Sequence, residues 1–527
     1  MPVKKRKLPV DGIQTFRKLR REYDVYVDKT MHVYKMVQNH GATFLARPRR
    51  FGKSLLCSTL ASLFRGEREL FENLLISQTD WDWKVHPVIH LGLAADDYTD
   101  NGVDMLVDTL NRQLDKVCDD YGISVERSDS IAGRFSSVIT ELDQKIGSVV
   151  VIIDEYDNPL LSTVNQPKLH EKMREKMKGF YSVIKQYEGH LRFAFITGVA
   201  KFTQVSVFSG MNQPHDISMM PEYCDVCGIT QKELEAFFAP EIEMFAEKHG
   251  GRENYLQKLK DNYDGYRFTD EEVTVYNPYG LLNHFINSAK FAPYWSQSGT
   301  PSFLLKYFEM KKVDSVRIEE ARMEAGRFAN YKDNTITLFP LLYQTGYLTI
   351  SDYDEKNNIY SLNYPNIEVR KTLAEFLATT YSKSQNIWEQ SPIIGFRNAL
   401  LDCDINEFMN TLKWYLANVD YSLSSKITEY YFEFAASNII NMLGFVCKNQ
   451  VHTANGRMDS VIFAEDYIYI LEFKVDKPVE NALRQIERKD YGLVYAKSGK
   501  KIVKTGIVFS RETRNIVEWM TCQVSQT

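Results

Sequence analysis

Residues 47–55 read Arg-Pro-Arg-Arg-Phe-Gly-Lys-Ser-Leu, and this stretch decides how the fold is interpreted. It follows a short apolar run at 42–46 and precedes a segment, 55–64, whose leucine and phenylalanine side chains recur at helical spacing. A strand, a tight loop and a helix that begins at Gly-Lys-Ser are the context of a phosphate-binding P-loop. The usual motif begins with glycine, however, and Arg47 occupies that position here. The motif alone therefore leaves a second interpretation open, a basic loop before an ordinary helix.

Under the P-loop interpretation, the residues of this loop have distinct roles. The helix N-terminus attracts an anion, Lys53 reaches the β- and γ-phosphates, and the hydroxyl of Ser54 is a Mg²⁺ ligand. The predicted nucleotide-binding set is Arg47, Arg50, Phe51, Gly52, Lys53, Ser54 and Leu55.

A second motif follows at 149–155, where five β-branched apolar residues precede Asp154 and Glu155. Such a run is typical of a strand that is buried on both faces. An Asp-Glu pair at its end is typical of a Walker B motif, in which Asp154 holds Mg²⁺ through its water shell and Glu155 orients or deprotonates the attacking water. The alternative is an ordinary pair of acidic residues at an exposed strand end.

The third buried strand is predicted at 191–198, and it ends in Thr197 and a glycine. Three such strands alternating with helices indicate a parallel, doubly wound α/β sheet. Its ligands bind at the carboxyl ends of the strands, where all three polar motifs fall. Thr197 is the candidate for contact with the γ-phosphate or its water, although a plain threonine at a strand end is the alternative.

Composition limits the class of protein. The 527 residues suggest two to four domains. A net charge of −5 means that any DNA contact must come from local patches. Because no apolar run approaches the roughly 18 residues of a membrane span, we expect no membrane partner. Lys-Lys-Arg-Lys at 4–7 is interpreted as a solvated basic tail, with a nuclear-localisation patch as the alternative.

The seven cysteines indicate the location of the protein. An odd number in a long chain favours a reducing cytosol over a disulfide framework, so the expected location is cytoplasmic. Cys224 and Cys227 form a C-x-x-C pair with no second pair or histidine cluster nearby in sequence. Two packed thiols are therefore the expected interpretation, with a zinc or redox site as the alternative.

A second candidate site lies near the C-terminus, in a predicted hairpin over 456–475. Glu472 and Lys474 share one face of their strand, because side chains alternate across a strand. If Glu465 and Asp466 form the turn, Asp459 lies opposite Glu472 with Cβ atoms roughly 5 Å apart. A loop one residue longer or shorter would break this alignment.

Two carboxylates and a lysine on an otherwise apolar hairpin are costly unless they are used. They suit a Mg²⁺ site, in which Asp459 and Glu472 bind the metal that activates water on a phosphodiester. Lys474 would position that water or stabilise the phosphate in the transition state. The alternative is an ordinary surface hairpin with paired charges.

The N-terminal motifs together resemble the AAA-ATPase-like family of bacterial proteins, over roughly residues 7–290. The segments that carry the resemblance are 16–20, 26–30, 47–55, 153–157, 197–202, 208–210, 216–218, 262–268 and 275–278. In that family the loop also reads Arg-Pro-Arg-Arg-Phe-Gly-Lys-Ser, so Arg47 is a family trait. The 27–30 segment is a candidate for seating the base. Arg267 is either a sensor or finger arginine or a salt-bridged surface residue.

The C-terminal motif resembles the PD-(D/E)XK nuclease superfamily over about residues 425–515. The resemblance assigns Asp459, Glu472 and Lys474 to the active site, and it adds Gln485 as a supporting residue on the following helix. It also implies an upstream metal-binding glutamate, Glu429, on a helix over 428–441, with Glu433 as the rival. Met458 departs from the proline of many members, but that position carries no chemistry.

The resulting prediction is a P-loop NTPase domain with a doubly wound parallel sheet at 1–240, a mostly helical lid or bridging region at 241–390, and an α/β restriction-endonuclease-like domain at 391–527. The expected cofactors are ATP and Mg²⁺, and the expected partner is nucleic acid, with DNA preferred. A homo-oligomer is left open. The expected function is ATP hydrolysis coupled to a metal-dependent nuclease. The alternatives are a nucleotide-controlled binding switch with a catalytically silent nuclease-like domain, and phosphate transfer to a small molecule or protein.

Overall fold

The structure is a computed structural model of the 527-residue chain. It describes residues 6–9, 13–38, 41–94, 98–99, 102–128, 130–164, 166–201, 208, 214–297, 321–325, 338–373, 392–417, 429–443, 445–453 and 455–524. Tertiary contacts divide the chain into two compact units, Met1–Ser298 with Arg322–Asn366, and Gly299–Ala321 with Ile367–Thr527.

The first unit contains most of the helices. Its helices are α1 (Phe16–Glu22), α2 (Thr30–Gln38), α3 (Lys53–Phe64), α4 (Gly102–Tyr121), α5 (Ile131–Lys145), α6 (Asn158–Thr163), α7 (Pro167–Gln186), α8 (Gln231–Phe237), α9 (Ala239–Ala246), α10 (Arg252–Tyr263), α11 (Pro278–Ile286), α12 (Tyr294–Gln297) and α13 (Leu338–Thr345). Its strands are β1 (Ala42–Ala46), β2 (Val88–Gly92), β3 (Val149–Asp154), β4 (Leu191–Gly198), β5 (His215–Asp216), β6 (Arg322–Glu324), β7 (Thr349–Asp354) and β8 (Ile359–Asn363).

The strands β1 to β5 form one parallel sheet in the order β2-β3-β4-β1-β5. Every residue of β3 is buried, as its run of β-branched side chains predicts for a central strand. The helices α4, α5 and α7 contribute to the main hydrophobic core beside this sheet. The strand that ends in Thr197 lies between the P-loop strand and the strand that ends in Asp154, so all three motifs meet at one edge of the sheet.

A second core in this unit is built by helices that follow the sheet. Side chains of α8 to α12 pack together with Leu8 and Val25 from the N-terminal segment. The predicted domain boundary at residue 240 therefore falls inside one compact unit. The strands β6, β8 and β7 form a separate three-stranded antiparallel sheet. Residues 25–27, Val-Tyr-Val, have the composition of a short strand, but they join no sheet among the described residues.

The second unit is an α/β sandwich around a mixed sheet. Its helices are α14 (Pro392–Asp402), α15 (Ile405–Ala417), α16 (Glu429–Met442) and α17 (Glu480–Arg488). Its strands are β9 (Val446–Thr453), β10 (Gly456–Phe463), β11 (Tyr467–Val475), β12 (Lys501–Ser510) and β13 (Asn515–Val524), in the sheet order β13-β12-β11-β10-β9. Only the β11–β12 pair is parallel, and α17 provides the crossover that this pairing requires.

Short 3₁₀ helices complete the described elements. They span Arg68–Phe71, Leu75–Gln78, Glu188–His190, Pro221–Tyr223, Glu247–His249 and Tyr491–Tyr495. Within the described part of the chain, no helix is both long enough and apolar enough to cross a membrane.

Candidate functional sites

The P-loop lies between β1 and α3. Gly52 precedes the helix with φ 93°, a left-handed conformation that favours glycine and turns the chain into α3. Lys53 is the first residue of the helix and is buried, and its Nζ donates to the carbonyl of Pro48 at 3.0 Å. The lysine therefore folds back over its own loop, close to where a phosphate would bind.

The acidic pair stands at the end of β3. Asp154 is 7% exposed, and its Oδ1 atom is buried without a hydrogen-bond partner. Glu155 adopts φ 52°, a conformation that costs energy in a residue with a side chain. Burial raises the pKa of Glu155 and the charge of Asp154 raises it further, whereas the cation of Lys53 opposes the shift. A carboxylate with a raised pKa is a suitable acceptor for the proton of an attacking water.

The donor set at this site fits a hard cation. The unpartnered oxygen of Asp154 and the hydroxyl of Ser54, which lines the neighbouring cavity, are the oxygen ligands that Mg²⁺ prefers.

A cavity of about 460 Å³ opens over the P-loop. Arg49 and the five residues from Arg50 to Ser54 line it, together with Leu55 and Glu155. The rest of the wall comes from three parts of the chain. The N-terminal segment contributes Pro9, Ile13, Gln14, Leu19, Val25, Tyr26, Val27 and Lys29. The helix α3 and the ends of other elements beside the sheet contribute Leu56, Thr59, Ala94 and Asn158. Parts of the chain beyond residue 225 contribute Val226, Cys227, Gly228, Ile229, Phe238, Pro278, Tyr279, Leu282 and Asn283. Lys29 and Val27 belong to the segment that was expected to seat the base.

The distant walls were missed in the sequence analysis. The segments 226–229 and 278–283 carry no phosphate motif. The second begins at Pro278, where the similarity to the family pattern at 275–278 could have drawn attention to it. Lys29 joins the N-terminal segment to α8, because its Nζ lies 2.6 Å from Oε1 of Glu233 in the capping box of that helix.

Arg47 requires a correction, because the structure does not place it at the cavity. Its side chain is 2% exposed, and its guanidinium donates to the carbonyls of Ala46, Ser218 and Tyr223 at 2.9, 2.7 and 2.9 Å. It also lies 4.3 Å from the ring centre of Phe268. Arg47 is therefore an internal clamp on the base of the loop and is not available to a nucleotide.

Two further candidates have their polar groups engaged by the backbone. The hydroxyl of Thr197 donates to the carbonyl of Leu45 on the neighbouring strand at 2.7 Å, so its contact with phosphate stays a prediction. Arg267 is buried, and its guanidinium donates to the carbonyls of Thr269 and Asp270. Arg267 is therefore not a surface residue, it does not line the cavity, and it forms no salt bridge with any residue that the structure describes.

Asp157 is a residue that the sequence analysis did not single out. Its buried Oδ2 accepts the backbone N–H groups of Val199 and Ala200 at 3.0 and 2.6 Å. Burial raises its pKa to about 6. The carboxyl group thereby joins the loop after the Asp-Glu pair to the loop after Thr197.

All seven cysteines are free thiols. Cys227 lies in the cavity wall and Cys224 is partly buried, in agreement with packed thiols. Among the residues that the structure describes, no group of three or more His, Cys, Asp or Glu side chains is placed to hold a metal ion.

The second candidate site lies on the β10–β11 hairpin, and the expected register is confirmed. Ser460 pairs with Leu471 and Phe463 pairs with Ile468, which places Asp459 across from Glu472. Oδ2 of Asp459 accepts the backbone N–H of Phe473 at 2.9 Å. The backbone pairing of the two strands ends at Ser460 and Leu471. Beyond it, the carboxylate of Asp459 takes the place of a backbone acceptor for Phe473, next to Glu472.

Three charged side chains, Asp459, Glu472 and Lys474, interact with one another at this site. Glu472 is fully buried, and the ammonium of Lys474 donates to its Oε1 at 2.9 Å and to the carbonyl of Phe473 at 2.9 Å. Burial and the nearby carboxylate of Asp459 raise the pKa of Glu472 to about 8, and burial also raises the pKa of Asp459. Oε2 of Glu472 is buried without a partner. Two neighbouring buried carboxyl groups with raised pKa values, one of which has an unpaired oxygen, fit a divalent cation.

The supporting residues are placed differently from one another. Gln485 on α17 hydrogen-bonds Tyr491, a residue that also experiences the charges of Glu472 and Asp459. Glu429 is the first residue of α16, but its side chain lies outside the described part of the structure. The rival, Glu433, is buried, and both of its oxygens accept from the side-chain amide of Gln450.

The first unit thus has the parallel sheet of a P-loop NTPase fold, and the second has the mixed sheet of a restriction-endonuclease-like domain. Residues 10–208 match the family model of the predicted AAA-ATPases, and residues 427–519 match that of the PD-(D/E)XK nuclease superfamily. A protein of Azotobacter chroococcum mcd 1, described as an uncharacterized protein in the vnfD 5′ region, is 33% identical over 531 residues, which cover 97% of this chain and 98% of that protein. The chain belongs to the same family as this relative. It carries an AAA-ATPase-like region followed by a PD-(D/E)XK nuclease superfamily domain.

A comparison with solved structures includes the Aeropyrum pernix ORC1 protein in complex with DNA. It covers 68% of this chain and 96% of that chain, with 11% sequence identity and a TM-score of 0.25. Similarity at that level carries no argument about function.

Proposed function

We propose that the first unit binds ATP with Mg²⁺ and hydrolyses it. The observation that carries this proposal is that Lys53 and Glu155 line the same cavity of about 460 Å³. That volume falls in the range of roughly 300–1,000 Å³ typical of ligand pockets. The apolar side chains of the N-terminal segment and of 278–283 offer a surface for the base, while the P-loop offers backbone N–H groups for the phosphates.

Each residue has a role in that reaction. Lys53 exchanges the carbonyl of Pro48 for the β- and γ-phosphates. Glu155 orients the attacking water and accepts its proton. Ser54 and Asp154 would hold Mg²⁺, which supplies charge neutralisation of the phosphates.

Phosphate release from ATP tests this proposal. Lys53→Ala and Glu155→Gln are expected to abolish release, because they remove the phosphate-binding cation and the proton acceptor. Lys84→Ala, at an exposed lysine of the same unit, is the control and should retain activity. Undiminished release by Lys53→Ala would contradict the proposal, and phosphate transfer seen only with an added acceptor would favour the kinase alternative.

We propose further that the second unit hydrolyses phosphodiester bonds in nucleic acid, with DNA as the expected substrate. The support is the convergence of Asp459, Glu472 and Lys474 in one partly buried cluster. Asp459 and Glu472 would hold Mg²⁺, which supplies an activated water. Lys474 then stabilises the negative charge that develops on the phosphate. The nucleotide state of the first unit is proposed to control this activity.

Incubation with varied DNA and RNA, with Mg²⁺ or Mn²⁺ and with or without ATP, tests the second proposal. We expect cleavage by the parent and none by Asp459→Ala. Asp466→Ala, at the exposed turn of the same hairpin, is the control and should cleave as the parent does. If no substrate is cleaved under any condition, the nucleotide-controlled binding switch with a silent nuclease-like domain is the better description.

A further inference from the structure

The segment 484–504 is a basic surface on an acidic protein. It contains seven Lys and Arg residues and two acidic residues, whereas the whole chain has a net charge of −5. The basic residues are Arg484, Arg488, Lys489, Lys497, Lys500, Lys501 and Lys504. The segment runs from α17 through the 3₁₀ helix Tyr491–Tyr495 to β12.

Two apolar side chains project from the middle of this basic segment. Leu493 is 64% exposed and Val494 is 58% exposed, and they are the two most exposed large apolar side chains in the second unit among the described residues. The two tyrosines that flank them turn inward. Tyr491 is buried, and Tyr495 packs edge-on against Phe463 with ring centres 5.6 Å apart. The 3₁₀ helix therefore fixes Leu493 and Val494 outward on a supported turn, which we call the apolar tip.

The apolar tip stands next to the candidate nuclease site. The hydroxyl of Tyr491 donates to the carbonyl of Arg457 at 2.5 Å, two residues before Asp459. The same hydroxyl also forms a hydrogen bond with the side chain of Gln485, and the charge of Glu472 raises its pKa.

Two lysines of the basic segment lie against backbone glycines near the tip. A Cβ atom at Gly492, the residue before the tip, would lie 3.2 Å from Cε of Lys504. A Cβ atom at Gly456 would lie 3.5 Å from Cε of Lys489 and 3.2 Å from the hydroxyl oxygen of Tyr491. Lys504 and Lys489 thus pack against the backbone beside Leu493 in sequence and beside Tyr491 in space.

We propose that the apolar tip contacts base faces of a nucleic acid whose phosphates are bound by the surrounding lysines and arginines. Apolar wedges that enter a base step are a known way to unstack it, and cations on either side neutralise the backbone. This inference rests on the proposed nuclease function, and it adds a substrate preference for unpaired or easily unstacked bases near the scissile phosphate.

Charge selects nucleic acid over other partners. A protein-binding apolar patch is normally depleted of charge at its centre, whereas Leu493 and Val494 lie in the middle of a segment rich in lysine and arginine. The excess of five positive charges within 21 residues is complementary to a phosphate backbone.

Binding without cleavage tests this inference separately from catalysis. The full-length chain with Asp459→Ala, in the absence of divalent metal, is mixed with a single strand and with a nicked duplex that carry a fluorescent adenine analogue. Leu493→Ser with Val494→Ser is expected to weaken binding about tenfold and to remove the fluorescence increase that reports unstacking, because apolar contact of two side chains is lost. Val517→Ser with Met520→Ser, two exposed apolar residues of β13, is the matched control and should bind as the parent does.

The outcomes are distinguishable. If the unsubstituted chain with Mg²⁺ or Mn²⁺ cleaves nothing but the tip variant binds nucleic acid more weakly than the control, the inference stands and the proposed nuclease activity fails. If the tip variant binds and unstacks as well as the control, or if the Asp459→Ala parent binds neither probe, the inference is wrong. If the tip variant changes the oligomeric state but leaves nucleic-acid binding unchanged, the tip is a contact between copies of the chain, and the inference is wrong.

Discussion

Two basic side chains of one loop, Arg47 and Lys53, differ in what their charged groups contact. The two terminal nitrogens of the Arg47 guanidinium donate to carbonyl oxygens, and the group lies over an aromatic face, so it is engaged inside the protein. Among the residues that the structure describes, the ammonium of Lys53 donates only to the carbonyl of Pro48, within a cavity that a phosphate can enter. A single hydrogen bond to a neutral carbonyl is readily exchanged for bonds to an anion.

Arg47→Gly restores the glycine with which the usual motif begins, yet we expect it to impair the protein. Three buried carbonyls lose charged donors, and since such bonds are worth roughly 1.5–3 kcal/mol each, the loss of stability should be about 3 kcal/mol or more. Nucleotide affinity should fall with it, because the base of the loop is no longer clamped. Urea unfolding and binding of an ATP analogue provide the two measurements.

Arg49→Gly is the control for the unfolding measurement only, because Arg49 also lines the cavity. Arg49 is exposed, and we expect a change in stability within about 0.5 kcal/mol. Parent-like stability and nucleotide binding in Arg47→Gly would show that the arginine is not a clamp.

The pKa of Asp157 leads to a prediction about pH. Its folded-state pKa of about 6 lies above the value of about 3.9 for an unfolded chain. The stabilising contribution of the protonated group is therefore fully present below about pH 4 and is lost as the pH rises through about 6. Asp157→Asn removes the titration and keeps an oxygen for the N–H groups of Val199 and Ala200. The variant should gain up to about 3 kcal/mol relative to the parent between about pH 4 and about pH 8.

Urea unfolding across that pH range measures the gain. Asp119→Asn, on an exposed position of α4, is the comparison and should show a difference from the parent that does not vary in this way. A difference between Asp157→Asn and the parent that is the same at every pH would contradict the prediction.

Among the elements, the turn after α10 shows how one backbone contact holds a loop in place. Gly265 adopts φ 93°, and a Cβ atom there would lie 2.0 Å from the carbonyl oxygen of Pro365. The side-chain amide of Asn366 donates to the carbonyl of Asp264 at 2.8 Å in the same contact. The loop between α10 and α11, which contains Arg267, is therefore joined to residues that are about 100 positions away in sequence.

Gly265→Ala should accordingly destabilise the first unit by about 3 kcal/mol, from the clash with backbone atoms that cannot move independently and from the left-handed conformation. Gly179→Ala is the control: it lies within α7 with no atom within 4 Å of its Cβ position, and alanine there should stabilise the helix by up to about 1 kcal/mol. Thermal unfolding provides the comparison. Equal melting temperatures for the two variants would show that the contact at Pro365 can yield.

At the scale of the whole molecule, two units with separate cores carry the two candidate sites. A ligand stabilises only the unit that binds it, by an amount that depends on its concentration relative to Kd. With a non-hydrolysable ATP analogue and Mg²⁺ at about one hundred times Kd, the unfolding of the first unit should be opposed by about 2.7 kcal/mol. Calorimetry of the full chain should show this shift in the transition of the first unit.

Two variants test whether that shift comes from nucleotide bound at the P-loop. Lys53→Ala should remove it, and Asp459→Ala should retain it, because Asp459 lies in the second unit. A shift that persists in Lys53→Ala would place the nucleotide elsewhere on the chain.

The sequence by itself determined the elements and the motifs. The five β-branched residues of β3 can be buried on both faces only in a central strand, and Gly52 before Lys53 is the pattern of a helix that begins at a phosphate loop. The pairing of Asp459 with Glu472 followed from the two-residue period of a strand and the position of one turn. These are local rules, so a single chain is enough to apply them.

Only the tertiary structure decided what surrounds those motifs. It turned Arg47 inward, joined Asp157 to the loop after Thr197, and brought segments 226–229 and 278–283 to the wall of the cavity. It also placed an exposed apolar tip, Leu493 and Val494, beside the acidic hairpin. These contacts join residues far apart in sequence, and their partners depend on how helices and strands pack, which no local pattern of apolar and polar residues specifies.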